Sequence, residues 1–499
     1  MSDTGVTADD LGPGGKTVQQ YIDETPVWGD GTPTHTAPMT NMQWFIWFLA
    51  AAGKFFEGMV VFMTGVALPL ISKEFNLGAA EHGIVTATSL FGILVGATLL
   101  GGLSDRFGRK RMFIVEMVLF TIFLVLLTFS PNFPWMVACL FGVGVALGCD
   151  YPTAHVVISE SIPSRNRGGL VLSAFGFQAV GALFGTVVGY LVLVNMPELE
   201  AWRWMYAAAI IPAILVVIAR FYITESVHWL FSRGQIREAE SEAHRLLKRE
   251  PQYPTTIKFK KKQVRKEAAR QEATENPGWG ALFTDKNRRA TILASVPWFL
   301  QDLGTYGIGI FTPIILASAV GHKKEHATSI TDLIHNDILA AKGAAIIDVL
   351  LIVGIIAAVL LADRVGRIKL QVFGFIGCAV GLFIASLSVG ASESASIWYI
   401  FIGFMLFNFM TNMGPNAQTY LIAGEVFPTS IRGKGAGFAA SFAKIGAVAT
   451  AFLFPILLAD IGTQALLYIL VGTSILGAIV TFIFQIETKG MNLEDHELT

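Results

Sequence analysis

Seven charged residues interrupt otherwise apolar stretches of this chain: Lys54, Glu57, Glu116, Asp150, Asp302, Asp348 and Lys444. A charge at the centre of a hydrocarbon layer costs at least about 2.5 kcal/mol, so such residues face an interior or a water-lined path. Their chemistry is the binding of polar solutes and the exchange of protons. No nucleophile–base arrangement, phosphate loop or metal motif stands beside them. Trp298, Asp302 and Tyr306 are spaced four apart and share one helix face. A stripe of aromatics alone reads as packing; a carboxylate in its middle makes it a candidate site. Tyr151 and His155 stack in the same way, and a histidine, with an ordinary pKa near 6.5, suits a proton relay as well as packing. Lys54 and Glu57 are one turn apart and able to neutralise each other. Glu116 lies toward a basic helix end, where pairing with a loop arginine is expected.

The elements that must position these groups are membrane helices. Hydrophobic residues make up 53% of the 499, and charged residues only 15%, against about 25% charged in soluble domains. Spans of about 20 apolar residues are predicted at 43–71, 84–103, 112–130, 134–160, 168–194, 202–223, 289–318, 340–361, 368–390, 396–423, 432–458 and 464–486. The fold class is therefore all-α: a polytopic membrane protein with twelve transmembrane helices in two six-helix bundles. Residues 1–42 are expected to be a disordered tail, 43–223 the first bundle, 224–288 an amphipathic linker, 289–486 the second bundle and 487–499 a second tail. Alternate loops are basic: Arg106, Arg109, Lys110 and Arg111; Arg165 and Arg167; the linker run from Lys258 to Lys266; Arg364, Arg367 and Lys369; Arg432 and Lys434. The positive-inside rule puts those loops and both termini in the cytoplasm, with the chain in the plasma (inner) membrane. Cys139, Cys149 and Cys378 form no disulfide or metal pattern. His322, His326 and His335, in the polar loop 321–339, read as surface residues. No metal, cofactor or nucleic acid is expected.

The halves repeat. SDRFGRK at 104–110 returns as ADRVGRIK at 362–369, and ESIPSRNRGG at 160–169 as GEVFPTSIRGKG at 424–435. Asp105 and Asp363 are 258 residues apart, Glu160 and Glu425 265, Glu225 and Glu487 262. Three offsets within seven residues of one another describe a parallel repeat of six helices. Asp105, Arg106 and Arg109 with Glu160 and Arg167, and Asp363, Arg364 and Arg367 with Glu425 and Arg432, are predicted to pair at the basic helix ends as a gate.

Those motifs resemble the signature of the major facilitator superfamily over residues 43–490. GCDYPTAHVVISE at 148–160, FGFQAVGALFG at 175–185, WFLQDLGTYGIGIF at 298–311 and GPNAQTYLIAGEVFPTSIRGKGAG at 414–437 resemble its phosphate:proton symporter group most closely; the last two also resemble sugar and organic-acid carriers. The resemblance implies a substrate pocket of Tyr151, Gln178, Trp298, Asp302, Tyr306 and Asn416, with Lys444 close by. It implies a proton-linked carboxylate at Asp150, and Glu57 stands where the group carries an aspartate. The longer Glu57, the added Lys54 and His155 in place of a small residue depart from that group and point toward a different substrate. The expected activity is proton-coupled import by alternating access, with Glu57, Asp150, Asp302 and His155 handling protons. The expected solute is inorganic phosphate; the alternatives are a sugar, an aromatic acid or a sugar acid, and more remotely a non-transporting nutrient sensor. The expected partners are solute, protons and lipid, and the expected state is a monomer.

Overall fold

A computed structural model of the chain describes residues 17–25, 38–100, 103–164, 167–248, 257, 279–321, 330–428 and 431–488. The basic run 258–266, His322 and His326 lie outside these residues, as do the side chains of Tyr151, Arg167 and Arg432. Among the described residues, eleven helices are long and apolar enough to cross a membrane. In order they are α1 (Asn41–Phe75), α2 (Ala79–Thr98), α3 (Arg109–Thr128), α4 (Phe133–Ser161), α5 (Gly168–Asn195), α6 (Ala201–Arg220), α7 (Arg288–Ser318), α8 (Ile330–Val365), α9 (Arg367–Ser386), α10 (Ala395–Glu425) and a long segment Gly433–Ile483. The last is two helices: Gly462 adopts φ 75 and ψ 170, a conformation open to glycine that no helix contains. With α11 at 433–461 and α12 at 463–483, twelve crossing segments result. No strand occurs among the described residues.

Two stretches differ from expectation. Residues 330–339 of the expected loop 321–339 are helical, because α8 begins at Ile330, with Ile334 buried and Asp332 in its first turn favouring the helix start. His335 therefore rides on α8. The polar tail 1–42 contains a docked helix, Val18–Asp23, capped by Thr17 and Gln20. Val18, Tyr21 and Ile22 bury one short apolar face, and Asp23 accepts hydrogen bonds from the Ser164 backbone and hydroxyl at 2.7 and 2.9 Å. Three apolar residues are too short a stripe to stand out in a polar sequence. The linker supplies helices Val227–Ser232 and Ile236–Leu246, the latter burying Ala239, Ala243 and Leu246.

Small residues set the helices close, as expected where lipid gives no hydrophobic drive between them. A Cβ on Gly58 would strike the Gln178 carbonyl, and one on Gly181 the Phe55 carbonyl, so α1 and α5 touch backbone to backbone. Gly65 of α1 meets the Ile310 carbonyl of α7 across the two halves. Two helices are interrupted within their length, α5 at Gly176 and α10 at Gly414 before Pro415, and α2 ends in a π-helical turn at Gly96–Leu100.

The sequence repeat is a structural repeat. Arg109 pairs with Asp105 (2.8 Å) and Glu160 (3.2 Å), while Arg367 pairs with Asp363 (2.7 Å) and Glu425 (3.2 Å). Glu225 accepts the backbone N–H of Lys110, and Glu487 accepts those of Arg367 and Ile368. Gly108 and Gly366 take φ 102 and 106 beside these carboxylates, which only glycine tolerates. Arg106 lies over the Phe107 ring, and Arg364 is exposed beside its own network. Each ion pair of these networks joins segments of one half, so the networks bind each bundle's basic end into a unit. Away from these networks the halves also touch: Thr86 of α2 donates to the Ala451 carbonyl of α11 (2.7 Å), and Phe175 of α5 stacks on Tyr420 of α10.

Candidate functional site

At mid-depth, four helices from both halves direct polar side chains at one carboxylate. Glu57 of α1 is 2% exposed. Lys54, one turn earlier, reaches its Oε2 at 2.5 Å. Its Oε1 accepts from Tyr306 of α7 (3.1 Å), lies 3.3 Å from Lys444 Nζ of α11, and is 3.5 Å from Gln178 Nε2 of α5. Lys444 also donates to Tyr306 Oη at 2.5 Å and stands 3.7 Å from Asp302 Oδ2. Gln178 donates to the same Tyr306 oxygen at 3.0 Å. The helical spacing that put Asp302 and Tyr306 on one face of α7 thus delivers both to a single lysine.

Gln178, Trp298, Asp302, Tyr306, Asn416 and Lys444 line one cavity together with Lys54 and Phe175. Its volume is about 20 Å³, enough for a water, so a larger solute enters only when the halves part. Asn416 donates to Asn412 at 2.7 Å, which in turn holds the Leu351 carbonyl of α8. A second cavity toward the basic end is lined by Lys54, Glu57, Asp150, His155, Phe175 and Tyr420. Lys54 and Phe175 belong to both, so Asp150 and Asp302 flank one centre. His155 is exposed to the cleft and meets Tyr420 edge-on at 6.2 Å. Tyr420 joins Phe175 (4.4 Å, stacked) and Trp298 (6.2 Å, edge-on), a three-ring patch across the halves.

Asp150 has a partner that the sequence reading passed over. Arg220, the last residue of α6, is fully buried, with Nη1 2.5 Å from Asp150 Oδ1. Its guanidinium also donates to the carbonyls of Phe113 and Leu49 and covers the Phe113 ring at 3.3 Å. At a helix end Arg220 reads as an interfacial residue, and only the fold turns it inward. Glu116 corrects another expectation. No loop arginine pairs with it among the described residues; it lies two turns inside α3 and accepts from Thr153 of α4 at 2.9 Å. Asp348 of α8 bridges the halves, accepting from Thr186 of α5 (2.9 Å) and Asn408 of α10 (3.3 Å). Among the described residues, no group of three or more His, Cys, Asp or Glu is placed to hold a metal ion.

Residues 46–498 match the family described as sugar (and other) transporter. The chain belongs to that family. It is 27% identical over 462 residues to the glucose transporter GlcP of Staphylococcus epidermidis, covering 92% of this chain and 97% of that one. It is 25% identical over 517 residues to a Schizosaccharomyces pombe protein whose name proposes inorganic phosphate transport, covering 92% and 88%. Its fold is similar to that of the major facilitator proton:xylose symporter XylE bound to 6-bromo-6-deoxy-D-glucose (TM-score 0.72, 21% identity, 91% of this chain and 98% of that one). The transporter is thus a multi-pass membrane protein of the major facilitator superfamily, and its family is one of carriers rather than enzymes.

Proposed function

We propose that this transporter imports a small polar organic metabolite, a sugar or an organic acid, together with protons by alternating access. One observation carries the reading. Lys54, Glu57, Gln178, Asp302, Tyr306 and Lys444 come from both bundles to one buried, water-sized centre, with contacts between the halves on either side of it. Desolvated carboxylates beside lysines change the balance of such a centre by one charge when they take a proton. Asp302 is the proton carrier and Glu57 the group that ties the lysines when no solute does. Asp150, held by Arg220, and His155 lie on the route to the basic end, which the charge of the loops makes cytoplasmic. The residues Asp105, Arg109, Glu160, Asp363, Arg367 and Glu425 keep each bundle rigid while the halves rock.

Inorganic phosphate is a second reading. The donors on Lys444, Tyr306 and Gln178 converge as an oxyanion requires, and one relative carries that name. The family description and the xylose-symporter fold favour an organic solute.

The test is uptake into proteoliposomes, with glucose, sugar acids, aromatic acids and phosphate outside at acidic pH. One solute should accumulate against its gradient, and Asp302→Asn should abolish acid-driven accumulation while leaving exchange of solute for solute. Acid-driven accumulation by Asp302→Asn at the wild-type level refutes the proton role. Binding without accumulation refutes transport and marks a sensor.

A further inference from the structure

The donor array at the centre is built around a carboxylate, and this says what kind of solute it accepts. Glu57 is held by two ammonium groups, a phenol and an amide from α1, α5, α7 and α11, at 2.5, 3.3, 3.1 and 3.5 Å. Among ion pairs between described residues, no other carboxylate meets two lysines. We infer that the carried solute is an aromatic monocarboxylate, whose carboxylate replaces that of Glu57 among Lys54, Lys444, Tyr306 and Gln178. The inference rests on the symporter reading above and narrows its substrate class.

Charge balance is the first support. The centre holds two lysines, Lys54 and Lys444, against two carboxylates, Glu57 and Asp302. If Asp302 takes a proton from the loading side, the two lysines lose half of their counter-charge. A carboxylate arriving with that proton restores neutrality, and returning the proton on the far side expels the anion. A neutral sugar arriving with a proton leaves one uncompensated positive charge in a closed, desolvated centre, which strongly disfavours it. The charged groups on the facing elements are accounted for: on α4 and α6, Asp150 and Arg220 pair with each other at 2.5 Å; on α3, Glu116 is held by Thr153; on α8, Asp348 is held by Thr186 and Asn408. His155 of α4 faces the second cavity beside Asp150. None of these groups substitutes for Asp302.

The second support is the shape of the neighbouring wall. Phe175 and Tyr420 lie parallel, 16° apart with centroids 4.4 Å from each other, and belong to different halves. When the halves part, these two plates separate and leave a slot suited to a planar ring, with the edge of Trp298 against Tyr420. Lys54 sits over the Phe175 ring at 5.3 Å, so a carboxylate on a ring in the slot meets the same ammonium that now holds Glu57. Phosphate has no use for the slot.

The experiment uses the purified full-length protein and reads binding of benzoate, benzamide, glucose and inorganic phosphate by calorimetry at acidic and neutral pH. Benzoate should bind more tightly at acidic pH, and benzamide, of equal shape without the charge, about 10- to 100-fold more weakly, the loss expected for a charge-assisted hydrogen-bonded pair. Glu57→Gln should bind benzoate at least as tightly as wild type and with little pH dependence, since the competing carboxylate is gone. Lys444→Met should lose about the same 10- to 100-fold as benzamide. Preference for glucose or phosphate, benzamide binding equal to benzoate, or no benzoate binding by either wild type or Glu57→Gln overturns the inference. Preference for glucose or phosphate leaves the symporter reading standing. Benzoate binding without accumulation in liposomes overturns the symporter reading instead.

Discussion

Arg220→Met should destabilise the transporter strongly, and adding Asp150→Asn should recover much of the loss. At 2.5 Å the Arg220–Asp150 attraction is worth about 7 kcal/mol gross at an effective dielectric of about 20. Desolvating two groups that are 0% and 6% exposed in their side chains cancels most of that sum. Removing one partner is different, because it leaves the other buried and uncompensated at a cost of about 3–5 kcal/mol. Lys54, the nearest further cation on α1, is already committed to Glu57 at 2.5 Å and does not substitute. Arg220→Met also gives up the guanidinium's bonds to the Phe113 and Leu49 carbonyls, at about 1 kcal/mol each. The double variant keeps only this second loss, so adding Asp150→Asn to Arg220→Met should recover about 3–5 kcal/mol. The assay is reversible unfolding in detergent micelles or bicelles for wild type, both single variants and the double variant. A double variant no more stable than Arg220→Met refutes the view that an unpaired buried carboxylate is what the arginine prevents.

Two other outcomes follow from the fold. Gly108→Ala and Gly366→Ala should each destabilise the basic end of their own half by about 1–2 kcal/mol, because each forces a side chain into a left-handed conformation beside Glu225 or Glu487. Equal thermal shifts for the pair would match the repeat, and the absence of any shift in either would contradict it. Thr86→Val removes the bond to the Ala451 carbonyl while keeping the side chain's size, so it should favour separation of α2 and α11 at the end opposite the basic loops by about 5- to 10-fold. Spin-label distances between those helix ends read the change, and an unaltered distribution refutes a clasp there.

The twelve spans, the basic loops and the repeat were legible because each rests on a local rule: apolar length, charge asymmetry and a recurring offset. The same holds for the α7 stripe, since residues four apart share a helix face wherever the helix lies. The sequence by itself therefore named Asp302 and Tyr306 as one unit and flagged Lys54, Glu57, Asp150 and Lys444 as charges that lipid would not accept. It also tied Glu160 to Glu425 and Glu225 to Glu487. It did not say which charge meets which. Lys444 and Glu57 are 387 residues apart and come together only because glycines at 58, 65 and 181 let α1 approach α5 and α7. Arg220, near the end of its span, went unnamed; its inward turn depends on the Phe113 ring and the Asp150 carboxylate waiting on other helices. Tyr420 and Phe175 carried no charge to mark them, yet their stack joins the two halves. Partner choice in a desolvated centre is a matter of distances of 2.5 to 4 Å, and only tertiary packing sets distances that short between helices remote in sequence.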